Sequence, residues 1–450
     1  MIWFILNRDD IETELPGGMV MLDFLRRQRK LTGTKEGCRE GDCGACMILL
    51  GEPRNGEVFY RPVNSCLLPL GAAAGRHVVT IEGLNSEALT PVQQAFVEEN
   101  ATQCGFCTPG FIVSLAGFLL SSPRWDVDTG VDAVGGNICR CTGYVSIRRA
   151  VERICSTLGE MPARRLPRLV EQGWIPAYFL DVLGRLRDDA APSSGVPVAG
   201  GTCLFVQPPE ELAHANLNLL SRREDLRGIR VENSRCVIGA ATPWADLEDS
   251  PVFQKLFPGI ADHFKLIASR PIRHRATIGG NIVNASPIGD LTILLLALDA
   301  SVVLADREIP LRDFYLGYKK LNKRPDELVL RVAFPVPGKD ALLNFEKVCR
   351  RTHLACASVN SAMLAIVREG RVVSAHISAG GVAPIPLYLT RTIEALKTVG
   401  MRAALDVAQT EVSPISDVHG SADYKRLLLR QLLITHFLKL APEREKELLP

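Results

Sequence analysis

The chain has 450 residues, 47% apolar and 23% charged, a soluble globular balance with length for roughly two to four domains. A formal net charge of +2 gives no reason to propose nucleic acid or membrane as a partner. Met1 to Leu6 is apolar but stops at Asn7-Arg8-Asp9-Asp10, and the longest apolar run elsewhere, Thr292 to Leu298, is far short of a bilayer, so neither leader nor span is expected.

The first eighty or so residues read as a small strand-rich domain. Trp3–Leu6 and Met47–Leu50 suit strands, and Met21–Gln28 suits a short amphipathic helix. Between them a loop with four glycines carries Cys38, Cys43 and Cys46 as Cys-x4-Cys-x2-Cys, with Cys66 further on. That is the plant-type spacing for a 2Fe–2S cluster on four thiolates, and glycines let backbone N–H groups point at its sulfurs. A zinc site would more often use two widely separated Cys-x2-4-Cys pairs.

From about residue 88 the pattern turns helical. Thr90-Pro91-Val92-Gln93 is a capping box with proline at the first helical position. Cys104 and Cys107 precede a helix opened by Thr108-Pro109 and ending before Pro123. Cys139 and Cys141 precede a helix beginning after Thr142, with Ile147, Val151, Ile154, Cys155 and Leu158 on one stripe. Each cysteine pair is expected to end just before a threonine N-cap, so two helix starts would face an anionic cluster. Taken alone, this second set suits zinc as well as iron–sulfur; its place directly behind the first set favours the cluster. Thirteen cysteines without a secretion signal favour metal ligation in a reducing, cytoplasmic setting, and Cys155, Cys203, Cys236, Cys349 and Cys356 read as ordinary buried residues.

Residues 159–173 read as an exposed linker rich in proline, glycine and arginine. An α/β stretch follows, with Ile175–Arg187 expected helical, Val196–Ala199 and Cys236–Ala241 as strands, and Pro251–Ile267 largely helical. Beyond Val336-Pro337-Gly338, Ser361–Arg368 and Arg371–Ala379 should form a hairpin through Glu369-Gly370, and Ala422–Leu440 a closing helix. Two glycine turns, Gly200-Gly201-Thr202 and Thr277-Ile278-Gly279-Gly280-Asn281, could bind a pyrophosphate or could simply be tight turns. Asp290 could serve a ribityl chain or a helix cap. No Gly-x-Gly-x-x-Gly follows a strand, and no Ser-His-Asp or His-Glu-x-x-His set occurs, so substrate chemistry is not expected in this chain.

Several segments together carry a resemblance. They are Thr32–Cys38 with Gly41–Cys46, Asn64–Cys66, Gln103–Gly110, Gly136–Tyr144, Val198–Thr202, Ala276–Asn281 and Ala285–Asp290. In this order the chain resembles the iron–sulfur/FAD small subunits of bacterial xanthine dehydrogenases, within the molybdenum hydroxylase family. The resemblance implies an α+β multidomain fold: a β-grasp plant-type ferredoxin domain over 1–83, a helical-bundle 2Fe–2S domain over 84–158 and a linker over 159–174. A two-part α/β FAD-binding domain over 175–336 and a C-terminal α+β domain over 337–450 complete it. It implies cluster ligands Cys38, Cys43, Cys46 and Cys66, and Cys104, Cys107, Cys139 and Cys141. Flavin contacts are implied at Pro197, Val198, Ala199, Gly200, Gly201, Thr202, Cys203 and Leu204, and at Ile267, Thr277, Gly280, Asn281, Asp290, Val329 and Lys347.

Gln103 matches a residue that touches the partner's pterin. Electrons from a molybdopterin-binding large subunit, oxidising xanthine or hypoxanthine, would pass two 2Fe–2S clusters to FAD and then NAD, in a dimer of heterodimers. Three departures bear on this: Cys203 stands where relatives are often acidic, and Ile267 replaces an aromatic. The loop Val348–Ala355 after Lys347 lacks the acidic residues relatives carry near the nicotinamide. An aldehyde or other N-heterocycle hydroxylase with a non-NAD acceptor is the alternative.

Overall fold

The first strand, Ile2–Leu6, pairs antiparallel with Asp9–Thr13 and parallel with His77–Val79. Met47–Arg54 and Glu57–Asn64 extend the sheet to five strands in a computed structural model describing residues 1–187, 194–206, 210–351, 354–369, 371–444 and 448. Side-chain alternation along Met47–Leu50 serves two cores. Ile48 and Leu50 join Phe4, Leu6, Leu22 and Leu25 on one face, while Met47 and Leu49 join the helical residues Phe96, Phe111, Leu115 and Ile147 on the other. The segment expected as one helix from Met21 is a single α-turn, Met21–Asp23, continued by a π-turn, Phe24–Gln28, that buries Met21, Leu22, Phe24 and Leu25.

The helices Pro91–Glu98, Thr108–Ser121 and Val145–Leu158 stand where the pattern placed them. Thr90 caps the first reciprocally: it accepts from the Gln93 N–H, and its own N–H donates to Gln93 Oε1 at 2.8 Å. Gly117 allows close docking on the sheet, since a Cβ there would lie 2.2 Å from Pro62 Cγ. Residues 159–174, expected as an exposed linker, instead hold the helix Arg165–Glu171, with Leu169 and Trp174 buried in the helical core. Ile175–Arg187 is not one helix. Pro176 interrupts it, leaving a 3-10 turn, Ala177–Leu180, and the short helix Val182–Arg185, with Phe179 stacked near Tyr60 and His77.

The chain divides into two units, one of Met1–Arg222 with Ser269–Arg275, the other of Arg223–Ala268 with Ala276–Pro450. The first also contains the parallel pair Val196–Val198 and Leu217–Leu219. In the second, an antiparallel five-stranded sheet includes Arg235–Gly239 at its interior. Pro251–Leu256 and Ile260–Lys265 are separate helices, because Gly259 at φ 86° turns the chain between them. A four-stranded antiparallel sheet contains Ala357–Arg368 and Arg371–Gly380, the expected hairpin, whose turn residue Gly370 lies outside the described residues. Ala422–Leu440 packs across this sheet with Ser421 as its N-cap. No helix among the described residues is long and apolar enough to cross a membrane.

Candidate metal centres and cofactor loops

The eight cysteines of the two sets are free thiols whose sulfurs meet in twos. In the first set Cys46 and Cys66 lie 3.3 Å apart, and Cys38 and Cys43 share a hydrogen bond. In the second, Cys104 and Cys141 lie 3.6 Å apart, and Cys107 and Cys139 are hydrogen-bonded. Among the described residues no three His, Cys, Asp or Glu side chains converge as a single-ion site requires. Sulfurs paired two and two suit a centre with two metals, each taking two thiolates, as in a four-cysteine 2Fe–2S cluster.

In three of these pairs one thiol is lowered and its partner raised: Cys38 against Cys43, Cys46 against Cys66, and Cys139 against Cys107. The Cys43 thiol, together with the backbone N–H groups of Glu40, Cys43 and Asp42, brings Cys38 down to about 5 against the cost of burial. Cys46 is lowered by its bond with Cys66, whose own thiol is correspondingly raised. Burial and the Cys139 contact push Cys107 up to about 12. Burial opposes ionisation of Cys139 too, but hydrogen bonds from the Thr142 hydroxyl at 3.2 Å and backbone at 3.5 Å outweigh it and lower that thiol.

The expected threonine caps are therefore corrected. Cys107, not Thr108, is the N-cap residue of its helix, and Thr108 shares a 2.8 Å hydroxyl contact with Thr102. Thr142 lies three residues before its helix, which starts after Tyr144 at φ 70°. Its hydroxyl serves the Cys139 sulfur instead, and the Tyr144 hydroxyl accepts from the Cys139 N–H at 3.0 Å.

Composition and spacing did not reveal how the two loops meet. The Ile138 N–H donates to the Cys43 carbonyl at 3.0 Å, and Asn137 Nδ2 donates to the Gly44 carbonyl at 3.2 Å. Asn137 is buried and accepts from Ser114 Oγ at 2.8 Å. Gly110 completes the approach, since a Cβ there would stand 2.2 Å from the Gly44 oxygen. The two sets differ in exposure: Cys46 and Cys66 are buried, whereas Cys104 and Cys141 are exposed, as are Gln103, Phe106, Tyr144 and Val145.

The implied flavin contacts fall in both units. Pro197–Leu204 belongs to the first, where Gly201 at φ 77° makes the turn and Arg275 holds the Gly200 carbonyl at 3.1 Å. Pro197, Cys203 and Leu204 are exposed there, which leaves the turn's rim open to a ligand. Cys203, expected as a buried residue, is thus a surface thiol, and Cys356 is likewise exposed.

The remaining contacts belong to the second unit. Thr277 caps the helix Ile278–Asn284 through the exposed Gly280. Asn281 Oδ1 accepts from Thr292 at both backbone and hydroxyl, 3.0 and 2.7 Å. Asp290 opens the buried helix Asp290–Ala297, and its carboxylate meets Lys347 at 2.7 Å and Asn360 at 2.5 Å. Lys347 also donates to the Leu266 carbonyl at 2.8 Å, beside the fully buried Ile267. Burial raises Asp290, with Lys347 and Asn360 opposing. Val329 is buried as well. Asn360 has no motif around it and was missed for that reason. In the loop Val348–Ala355, Thr352 and His353 lie outside the described residues.

Comparison with known proteins matches these parts one by one. Residues 4–70 match the 2Fe–2S iron–sulfur cluster binding domain, and 80–152 the [2Fe–2S] binding domain. Residues 173–337 match the FAD binding domain in molybdopterin dehydrogenase, and 344–440 the CO dehydrogenase flavoprotein C-terminal domain. A chain from carbon monoxide dehydrogenase of Hydrogenophaga pseudoflava is 32% identical with a TM-score of 0.50, covering 56% of this chain and 88% of that one. Aldehyde oxidase 1 of Macaca fascicularis is 27% identical over 97% of this chain and 39% of its own. Xanthine dehydrogenase 1 of Arabidopsis thaliana is 27% identical over 96% of this chain and 39% of its own. The chain thus spans about two fifths of the length of these curated relatives. With two 2Fe–2S-binding domains, an FAD-binding domain and a flavoprotein C-terminal domain in this order, the chain belongs to the molybdenum hydroxylase family.

Proposed function

We propose that this chain is the electron-transfer component of a molybdenum hydroxylase, receiving electrons from a molybdopterin-binding partner subunit and delivering them to FAD and then NAD. The observation that carries the reading is the stitched pair of cysteine loops, exposed at Cys104 and Cys141 and buried at Cys46 and Cys66. When bound, two 2Fe–2S clusters would supply one-electron carriers and the flavin a carrier that releases electrons in pairs.

The chain's own residues do the holding. Cys38, Cys43, Cys46 and Cys66 would ligate one centre, and Cys104, Cys107, Cys139 and Cys141 the other. The Ile138–Cys43 backbone bond keeps the loops in contact. Gln103, Phe106, Tyr144 and Val145 would form the face that meets the partner. Pro197–Leu204 would hold the flavin pyrophosphate. Ile267, Thr277, Gly280, Asn281, Asp290, Val329 and Lys347 would contact the rest, with Lys347 fixed by Asp290. We place the assembly in the cytoplasm as paired heterodimers.

The test is an absorbance spectrum with metal and flavin quantitation: about four irons and one flavin per chain support the reading. Zinc in a colourless protein ends it.

Hydroxylation of xanthine or hypoxanthine is the reading of substrate we adopt. A second reading, oxidation of aldehydes or other N-heterocycles with a non-NAD acceptor, is favoured by the absence of acidic residues in Val348–Ala355. Turnover of the assembled complex on hypoxanthine against a panel of aldehydes, each with NAD and with an artificial acceptor, separates the two.

A further inference from the structure

We infer that Ile272 is a positioning residue for the ferredoxin-type centre, sealing the glycine turn whose backbone N–H serves the Cys66 sulfur. The inference rests on the cluster reading above. Ser269–Arg275 comes late in the sequence yet belongs to the unit that contains both cysteine sets. It is anchored at several points. Pro271 meets Gly136, where a Cβ would lie 3.0 Å from Pro271 Cδ. His274, half-buried and with its pKa lowered by desolvation and the nearby Arg270 and Arg61, uses Nδ1 to meet the Pro62 carbonyl at 2.9 Å. Arg275 holds Gly200.

Between these anchors Ile272 packs against the core that includes Cys46, Cys66 and Leu67. Its Cδ1 lies 2.7 Å from the place a Cβ on Gly41 would take, and Leu67 Cδ1 lies 2.6 Å from the same point. Gly41 sits at φ 83°, a left-handed conformation suited to glycine, and its N–H donates to Cys66. Two methyl groups therefore clamp the turn. They keep its N–H aimed at sulfur and keep water off the thiolate, which a proton or chelator must reach to detach iron.

Ile272→Val removes Cδ1 alone, and Ile272→Ala removes most of the plug. In the full-length, cluster-loaded chain, iron release to a ferrous chelator under dithionite is followed while electron paramagnetic resonance reads the two centres separately. The Val variant is expected to lose the ferredoxin-type signal about three- to tenfold faster than wild type, and Ala faster still. The Cys104-containing centre, as internal control, keeps its rate. Wild-type release from both variants overturns the role of Ile272, and so does equal acceleration at both centres. A wild-type protein with no iron at Cys38, Cys43, Cys46 and Cys66 instead sinks the cluster reading itself. If the Ala variant does not accumulate, the Val variant alone decides.

Discussion

His77 illustrates what a single buried side chain imposes on its domain. It is fully buried between Tyr178 and Phe179, its Nδ1 accepting from Tyr60 at 2.8 Å and its Nε2 donating to the Asn7 carbonyl at 2.9 Å. Those partners satisfy the neutral ring, and desolvation pushes its pKa down to about 4. The unfolded chain takes up a proton near pH 6.5, the folded one only near 4, so the stability held above pH 6.5 is lost as pH falls. About 3 kcal/mol should disappear across that window, and His77→Gln should flatten the loss in urea midpoints measured against pH. Asp290 tests the opposite kind of burial. Lys347→Met would strand its carboxylate and cost about 3–5 kcal/mol, whereas Lys347→Met with Asp290→Asn should recover much of the loss in the same denaturation assay. Asn281→Ala removes the acceptor for Thr292 and should lower flavin occupancy while iron content stays at wild type. The two cysteine sets stood out in the sequence by spacing, but which sulfurs meet did not, because Cys46 pairs with Cys66 and Cys104 with Cys141 across long separations. Asn360 and Ile272 were not legible, since each acts on a partner distant along the chain and carries no motif of its own; Asn137 lies in a matched motif, but nothing in the sequence showed that it reaches Gly44.

Elements were legible where local chemistry decides them. The capping box at Thr90, the continuous stripe of Val145–Leu158 and the Glu369-Gly370 turn signal after Ala357–Arg368 each settle one element from within. Reading failed where tertiary packing overrode the pattern. Leu169 drew a presumed linker into the helical core, and Tyr144 at positive φ delayed a helix that Thr142 was expected to cap. The contact of Thr108–Ser121 with the first loop gives a sharp test. Gly110→Ala would drive a methyl toward the Gly44 oxygen, so a loss of roughly 1–3 kcal/mol is expected in thermal or urea unfolding. Both resonance signals should change, because Gly44 lies between two candidate ligands of one centre and Asn137 stands two residues before a ligand of the other.

At the scale of the whole molecule the proposed function divides the labour between the cysteine loops and the flavin-binding domain. Cys104→Ser or Cys139→Ser should stop flavin reduction driven by the partner's substrate while sparing flavin reduction by NADH. Stopped-flow absorbance of the assembled complex checks it, and equal loss of both would point to unfolding. The order of domains and both cysteine sets could be read from the residues in advance. That Ser269–Arg275 returns to the first unit could not, because nothing in its composition marks where it docks.

That return has a consequence for how the protein is made. A nascent chain that has left the ribosome only as far as Arg222 already carries all eight candidate ligands but has yet to acquire Ile272 and His274. On the cluster reading, a loop filled before translation passes Arg275 would lack the Ile272 methyl that stands against Gly41 in the finished fold.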